Sequence, residues 1–166
     1  MRVRALDKTV TLDPGYDSGL ALWLGDYNPI YSIISTDRDW PLIEKIYDLS
    51  IQFAIYLQTY KPERLIIEGV NLWGSSAASF AGTQKGYTFN LAYIVGGFIV
   101  KARDANMDVK IVYVMDTEID NIKYRGWKGN LDSKALRKRI ERINGQVYPE
   151  HAQEAVGIGF SEMGIL

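Results

Sequence analysis

The chain has 166 residues, about the length of one domain, and its 47% hydrophobic and 23% charged residues are an ordinary globular composition that excludes a disordered chain, a coiled coil and a collagen-like fibre. It carries no cysteine and a single histidine, His151, which excludes disulfide frameworks, zinc ribbons, cysteine nucleophiles and multi-histidine zinc sites, leaves any Ser-His-Asp triad one imidazole to use, and fits a reducing cytosol. The formal net charge is -1, there is no run of about 18 apolar residues to span a membrane, and Met1 to Lys8 lacks the apolar stretch of a signal peptide, so a cytoplasmic protein is expected.

Thr9-Val10-Thr11-Leu12-Asp13 is a run rich in β-branched residues stopped by Pro14-Gly15, which predicts a first strand. Residues 19–25 and 30–35 predict two more, and Gly25-Asp26-Tyr27-Asn28-Pro29 between them is turn chemistry that predicts a hairpin. Leu42, Ile46, Leu49, Phe53, Tyr56 and Tyr60 recur every three or four residues and predict a helix over 41–60, with Asp39 and Pro41 at its start and Pro62 beyond its end. Arg64-Leu65-Ile66-Ile67-Glu68 predicts a buried strand closed by a carboxylate. Residues 75–105 predict a helix interrupted or closely packed at Gly82, Gly86, Gly96 and Gly97, and 109–114 another buried strand. A basic amphipathic helix over 131–143 and a last helix over 150–163 complete the chain. No repeat or linker divides residues 1–166, so one domain is expected. The early hairpin supplies antiparallel strands and the later crossovers favour parallel pairing. The expected fold is α/β, a mixed five-stranded sheet flanked by helices.

Asp13 and Glu68 both end strands. In a parallel pair they would meet at the carboxyl edge of the sheet, where open α/β sheets keep their sites. Two such acids repel each other unless a cation neutralises them. Each acid taken alone is equally a turn former or helix cap. His151 and Glu154 are spaced i, i+3 and share a helix face, so Glu154 is a candidate third carboxylate. A lone histidine near a helix start is otherwise a surface or capping residue. Two strand carboxylates and a helix ligand suit Mg²⁺ or Mn²⁺ and phosphodiester cleavage assisted by two metals.

Charge is concentrated downstream. Residues 121–142 carry Lys123, Arg125, Lys128, Lys134, Arg137, Lys138, Arg139 and Arg142 against Asp132 and Glu141, whereas residues 143–166 have no Lys or Arg and hold Glu150, Glu154 and Glu162. A basic segment on a near-neutral chain points to a local polyanion contact, with a solvated helix face as the plainer alternative.

These residues also resemble a known family. Val10-Thr11-Leu12-Asp13-Pro14-Gly15, followed by Ser18-Gly19-Leu20-Ala21, resembles the opening strand and hairpin of RuvC-type Holliday junction resolvases. Leu65-Ile66-Ile67-Glu68 resembles the strand ending in that family's glutamate, and Ser79-Phe80-Ala81-Gly82-Thr83-Gln84-Lys85-Gly86 the helix that follows it. Gly126-Trp127-Lys128-Gly129-Asn130 with Lys134 is similar to a segment of phage-type members, and His151-Ala152-Gln153-Glu154-Ala155-Val156-Gly157-Ile158-Gly159 to the closing helix.

The resemblance, spanning residues 9–160, implies a ribonuclease H-like fold, a homodimer and metal-dependent nicking of four-way or branched DNA. It places Asp13, Glu68, His151 and Glu154 on the catalytic and metal-binding positions, with two Mg²⁺ or Mn²⁺ ions per site. Trp73, Lys85, Lys128, Lys134, Arg137 and Lys138 are the candidate DNA contacts. Two positions depart from the pattern. Glu154 stands where an aspartate is usual and reaches about 1.5 Å further. Asn71 stands where the family often has an aromatic residue, with Leu72 and Trp73 just beyond. Competing readings are a ribonuclease H-like nuclease for flaps or RNA–DNA hybrids, a non-catalytic junction-binding module, and the Asp-Pro-Gly phosphate loop of sugar kinases, which needs two such domains.

Overall fold

Five strands form one sheet in the order β3-β2-β1-β4-β5. They are β1 (Thr9–Asp13), β2 (Asp17–Trp23), β3 (Ile30–Ser35), β4 (Arg64–Glu68) and β5 (Asp108–Val112). β1, β2 and β3 pair antiparallel, while β4 runs parallel to both β1 and β5. Among the described residues, four helices flank the sheet: α1 (Leu42–Tyr60), α2 (Tyr87–Asp104), α3 (Ser133–Asn144) and α4 (Glu150–Met163). This computed structural model describes residues 5–70, 86–112, 127–128 and 131–165. Among them no helix is long and apolar enough to cross a membrane.

The sheet is covered on both faces, and alternation along the strands sorts residues between them. Val10, Leu12, Leu20, Leu22, Leu65 and Ile67 face one layer, where Leu49 and Phe53 of α1 meet Ile94 and Phe98 of α2. Ala21, Trp23 and Ile66 face the other layer, where Leu136 and Ile140 of α3 pack with Ala152, Ala155, Val156 and Phe160 of α4. Central strands buried on both faces show as near-continuous apolar runs, which is why Arg64 to Glu68 is so apolar in sequence.

Several boundaries move from the expected ones. β2 begins at Asp17 rather than residue 19, because Asp17 and Ser18 pair with Ser35 and Ile34 of β3. It ends at Trp23, and Leu24 is exposed. α2 starts at Tyr87, since Gly86 caps it with φ 73, a left-handed conformation that stops a helix. Residues 75–85 and 113–114, where helix and strand were also expected, lie outside the described residues.

α4 lies directly on the strands. A Cβ on Gly19 would stand 1.8 Å from the His151 carbonyl oxygen, and one on Gly159 would stand 2.1 Å from the Trp23 indole. Only hydrogen at residue 19 lets the helix backbone touch β2. The contact is pinned by a buried chain: the Trp23 indole N–H donates to the Thr11 hydroxyl at 2.9 Å, and that hydroxyl donates to the Ala155 carbonyl at 2.6 Å. Gly19→Ala forces the helix away from the sheet and is expected to destabilise the protein by about 1–3 kcal/mol. Urea denaturation at unchanged m-value measures that loss.

Candidate active site

Asp13 and Glu68 end neighbouring parallel strands. The register Thr11↔Ile66 and Leu12↔Ile67 brings the two strands to their last residues together, at the carboxyl edge of the sheet. α4 crosses this edge because of its seat on β1 and β2, and it carries Glu154 one turn beyond His151. Burial pushes the Asp13 carboxyl well above the usual range, and the charges of Glu68 and Glu154 push it the same way, while Lys128 opposes them. Burial likewise pushes Glu68 up to about 7, with Lys128 lowering it and Glu154 raising it. The three acids therefore act on one another, as two strands and a helix converging on one edge require.

A cation already stands among them. The Lys128 ammonium lies 2.7 Å from Glu154 Oε2, with the two side chains 20% and 17% exposed. Burial works against the charge on Lys128, but its hydrogen bond to Glu154 and the charges of Glu154, Glu68 and Asp13 raise its pKa overall. In sequence Lys128 is one member of a basic run; in space it belongs to the carboxylates.

His151 faces a different acid. Its Nε2 is 3.9 Å from Asp17 Oδ2, and Asp17 accepts a hydrogen bond from Arg38 at 2.6 Å. That bond, with one from Ser35 and the charges of Arg38 and His151, holds Asp17 below the usual range against a smaller opposing effect of burial. Neither Asp17 nor Arg38 is marked by the sequence; Asp17 meets His151 where β2 passes under α4, and Arg38 reaches Asp17 from beyond β3. Nearby, Lys45 places its ammonium 4.6 Å from the ring centre of Tyr16, which also meets Tyr87 edge-on.

The donor chemistry suits a hard divalent cation: carboxylate oxygens, largely withdrawn from water, that repel one another. Among the described residues no group of three or more histidine, aspartate or glutamate side chains is drawn tightly enough to grip an ion, and one of the acids, Glu154, is paired with the Lys128 ammonium.

The basic helix α3 divides by face. Leu136 and Ile140 are buried. Lys134 and Arg137 line a cavity of about 510 Å³ with Tyr31, Tyr148, Glu150 and Gln153. Lys138 opens instead onto a groove shared with Arg139 and Arg142. Arg139 donates to the Trp127 carbonyl and lies 4.5 Å over its ring, so its charge serves the fold. Trp73 and Lys85 lie outside the described residues.

Comparison with solved structures finds the same fold. A Thermus thermophilus RuvC structure matches with a TM-score of 0.63 and 16% identity, over 95% of this chain and 96% of that one. T. thermophilus RuvC in complex with a Holliday junction substrate matches with a TM-score of 0.67 and 17% identity, over 92% and 90%. The yeast mitochondrial Holliday junction resolvase Ydc2 matches with a TM-score of 0.57 and 10% identity, over 98% and 81%. No protein-family model and no curated protein matches the sequence. The fold is the ribonuclease H-like one of the RuvC structures.

The raised carboxyl of Glu68 sets a pH dependence. Below its ordinary value of 4.5 it is protonated folded or unfolded; between there and about 7 the unfolded chain has lost a proton that the folded chain keeps. Stability of the metal-free protein is therefore expected to fall as pH rises through that window, then level off. Urea midpoints in EDTA across this range check it, and Glu68→Gln is expected to flatten the slope.

Proposed function

We propose that this chain is a metal-dependent, structure-selective endonuclease that resolves four-way or branched DNA junctions by paired nicks. The observation that carries the reading is the convergence of Asp13, Glu68 and Glu154, from β1, β4 and α4, at the carboxyl edge of a ribonuclease H-like sheet. A neighbour of this fold, T. thermophilus RuvC, has been solved on a Holliday junction substrate, which supports branched DNA as the partner.

Asp13, Glu68 and Glu154 would hold Mg²⁺ or Mn²⁺, two ions per site, with His151 at the rim. Bound there, such ions supply an activated water and stabilise charge on the leaving oxygen. The protein's own contribution is placement. Short strands fix Asp13 and Glu68 with little freedom, and the close seat of α4 fixes Glu154 against them. Partial exclusion of water strengthens every electrostatic interaction at the edge. Lys134 and Arg137 at one mouth of α3, and Lys138 at the other, would meet backbone phosphates, contacts that orient the duplex arms without reading their sequence.

Four-way junctions have approximate two-fold symmetry, and paired nicks call for two sites at fixed separation, which a closed dimer supplies. The apolar face for it runs over two helices. Ile43, Tyr47, Ile51 and Ile55 form an exposed stripe along α1, with Ile43 71% and Tyr47 65% exposed. Phe89, Tyr93 and Val100 form another along α2, with Tyr93 61% exposed. Exposed apolar side chains repeated along two helices support a protein interface there. Other apolar residues of α2 lie inside the protein: Ile94 and Phe98 enter the core, and Gly97 serves the α1–α2 approach, where a Cβ would stand 3.1 Å from Ser50 Oγ.

A panel of synthetic four-way junction, flap and RNA–DNA hybrid, each with and without Mg²⁺, tests the activity. Nicking of the junction alone or foremost, and only with metal, is expected; cutting of hybrid in preference to junction would overturn the reading. Asp13→Asn and Glu154→Gln are expected to lower the nicking rate roughly 100-fold or more while junction binding persists. In light scattering the protein is expected at twice the chain mass, and Tyr47→Asp combined with Tyr93→Asp at the chain mass.

A further inference from the structure

Among the described residues, Lys128 is a cation placed against the carboxylates, apart from the basic side chains of α3. Its ammonium is 2.7 Å from Glu154 Oε2, and both side chains are about four-fifths covered. Its charge acts on Asp13 and Glu68 as well as on Glu154. A side chain whose task were only to meet DNA phosphate would keep its charge in solvent, because covering an ammonium costs hydration. Here the cost is offset by attraction to three acids that repel one another.

One positive charge does not balance three carboxylates, and a divalent ion balances them better. Ion and ammonium seek the same Glu154 oxygens, and two cations at that spacing repel. Lysine suits an exchangeable place: it is a compact point charge on a flexible four-carbon stem, able to withdraw without moving the backbone.

We propose that Lys128 is the resident counter-cation of this site, and that a divalent metal binds only by displacing its ammonium from Glu154. The inference rests on the metal-binding role given to these acids under the proposed function. It makes metal and ammonium antagonists: Lys128 holds the acids together before metal arrives and lowers the affinity with which metal is taken up.

The test uses the full-length, DNA-free protein, with Mn²⁺ as the probe and its free concentration followed by electron paramagnetic resonance. Lys128→Met removes the charge and keeps most of the stem; Lys128→Arg keeps the charge. Lys128→Met is expected to bind Mn²⁺ tighter by roughly 5- to 150-fold, the usual span of coupling between two sites, and Lys128→Arg to stay near wild type. Equal affinity in wild type and Lys128→Met overturns the proposal. Should Lys128→Met fail to fold, amine acetylation of the wild-type protein read by mass spectrometry decides the question. Lys128 is expected to label several times faster in saturating Mg²⁺ while the exposed Lys61 does not change; an unchanged or slower rate at Lys128 overturns it. Neither measurement uses cleavage. A protein that shows the antagonism and leaves junctions intact loses the proposed activity but keeps this role for Lys128; absence of Mn²⁺ binding in every form overturns both.

Discussion

Helix α4 rests on β2 with no side chain between the backbones, and the arrangement of the functional edge follows from that contact. Gly19 leaves room for the His151 carbonyl, Gly159 leaves room for Trp23, and the Trp23–Thr11–Ala155 hydrogen-bond chain fixes the helix along its axis. A seat this close gives α4 little freedom to slide or tilt, since interiors are packed to near crystal density. Glu154 therefore arrives beside Asp13 and Glu68 through backbone geometry rather than through the reach of a flexible side chain.

The price of the arrangement is electrostatic. Strands β1 and β4 each end an apolar run with a carboxylate, and burial together with mutual repulsion pushes both acids upward. Such frustration is characteristic of sites tuned for function at some expense of stability. It is moderated from inside the chain by Lys128, while His151 and Arg38 gather around Asp17 a short distance away. The edge thus holds two charge clusters with different partners, one centred on Glu154 and one on Asp17.

Around this edge the surface is sorted by chemistry. Basic side chains of α3 open onto two separate hollows, and exposed apolar stripes run along α1 and α2 on the opposite face of the sheet. The sheet separates the two layers, so a polyanion on α3 and a protein surface on α1 and α2 would not compete for space. The fold persists among RuvC structures at 16–17% identity. At that distance few individual side chains are shared, and what persists is the fold.

The sequence by itself determined the element order, the mixed sheet and the acids at its carboxyl edge. Those features rest on local signals: two-residue and three-to-four-residue periodicity, Pro and Gly stops, and carboxylates closing apolar runs at Asp13 and Glu68. The i, i+3 spacing of His151 and Glu154 was equally local. The partners of those groups were not. Lys128 looked like one phosphate-binding residue among many because a run of charges states how much charge there is but not where it points. Arg139 joined the same run, yet it is spent on Trp127. Asp17 carried no signal at all, since its neighbour His151 is 134 positions away and meets it only where α4 crosses β2. The sequence of α2 has apolar residues all round, and only packing against α1 decided that Ile94 and Phe98 go inward while Phe89 and Tyr93 stay out. Periodicity along the chain determines which elements form; which charges and surfaces face one another is decided by contacts distant in sequence, and those exist only once the layers have packed.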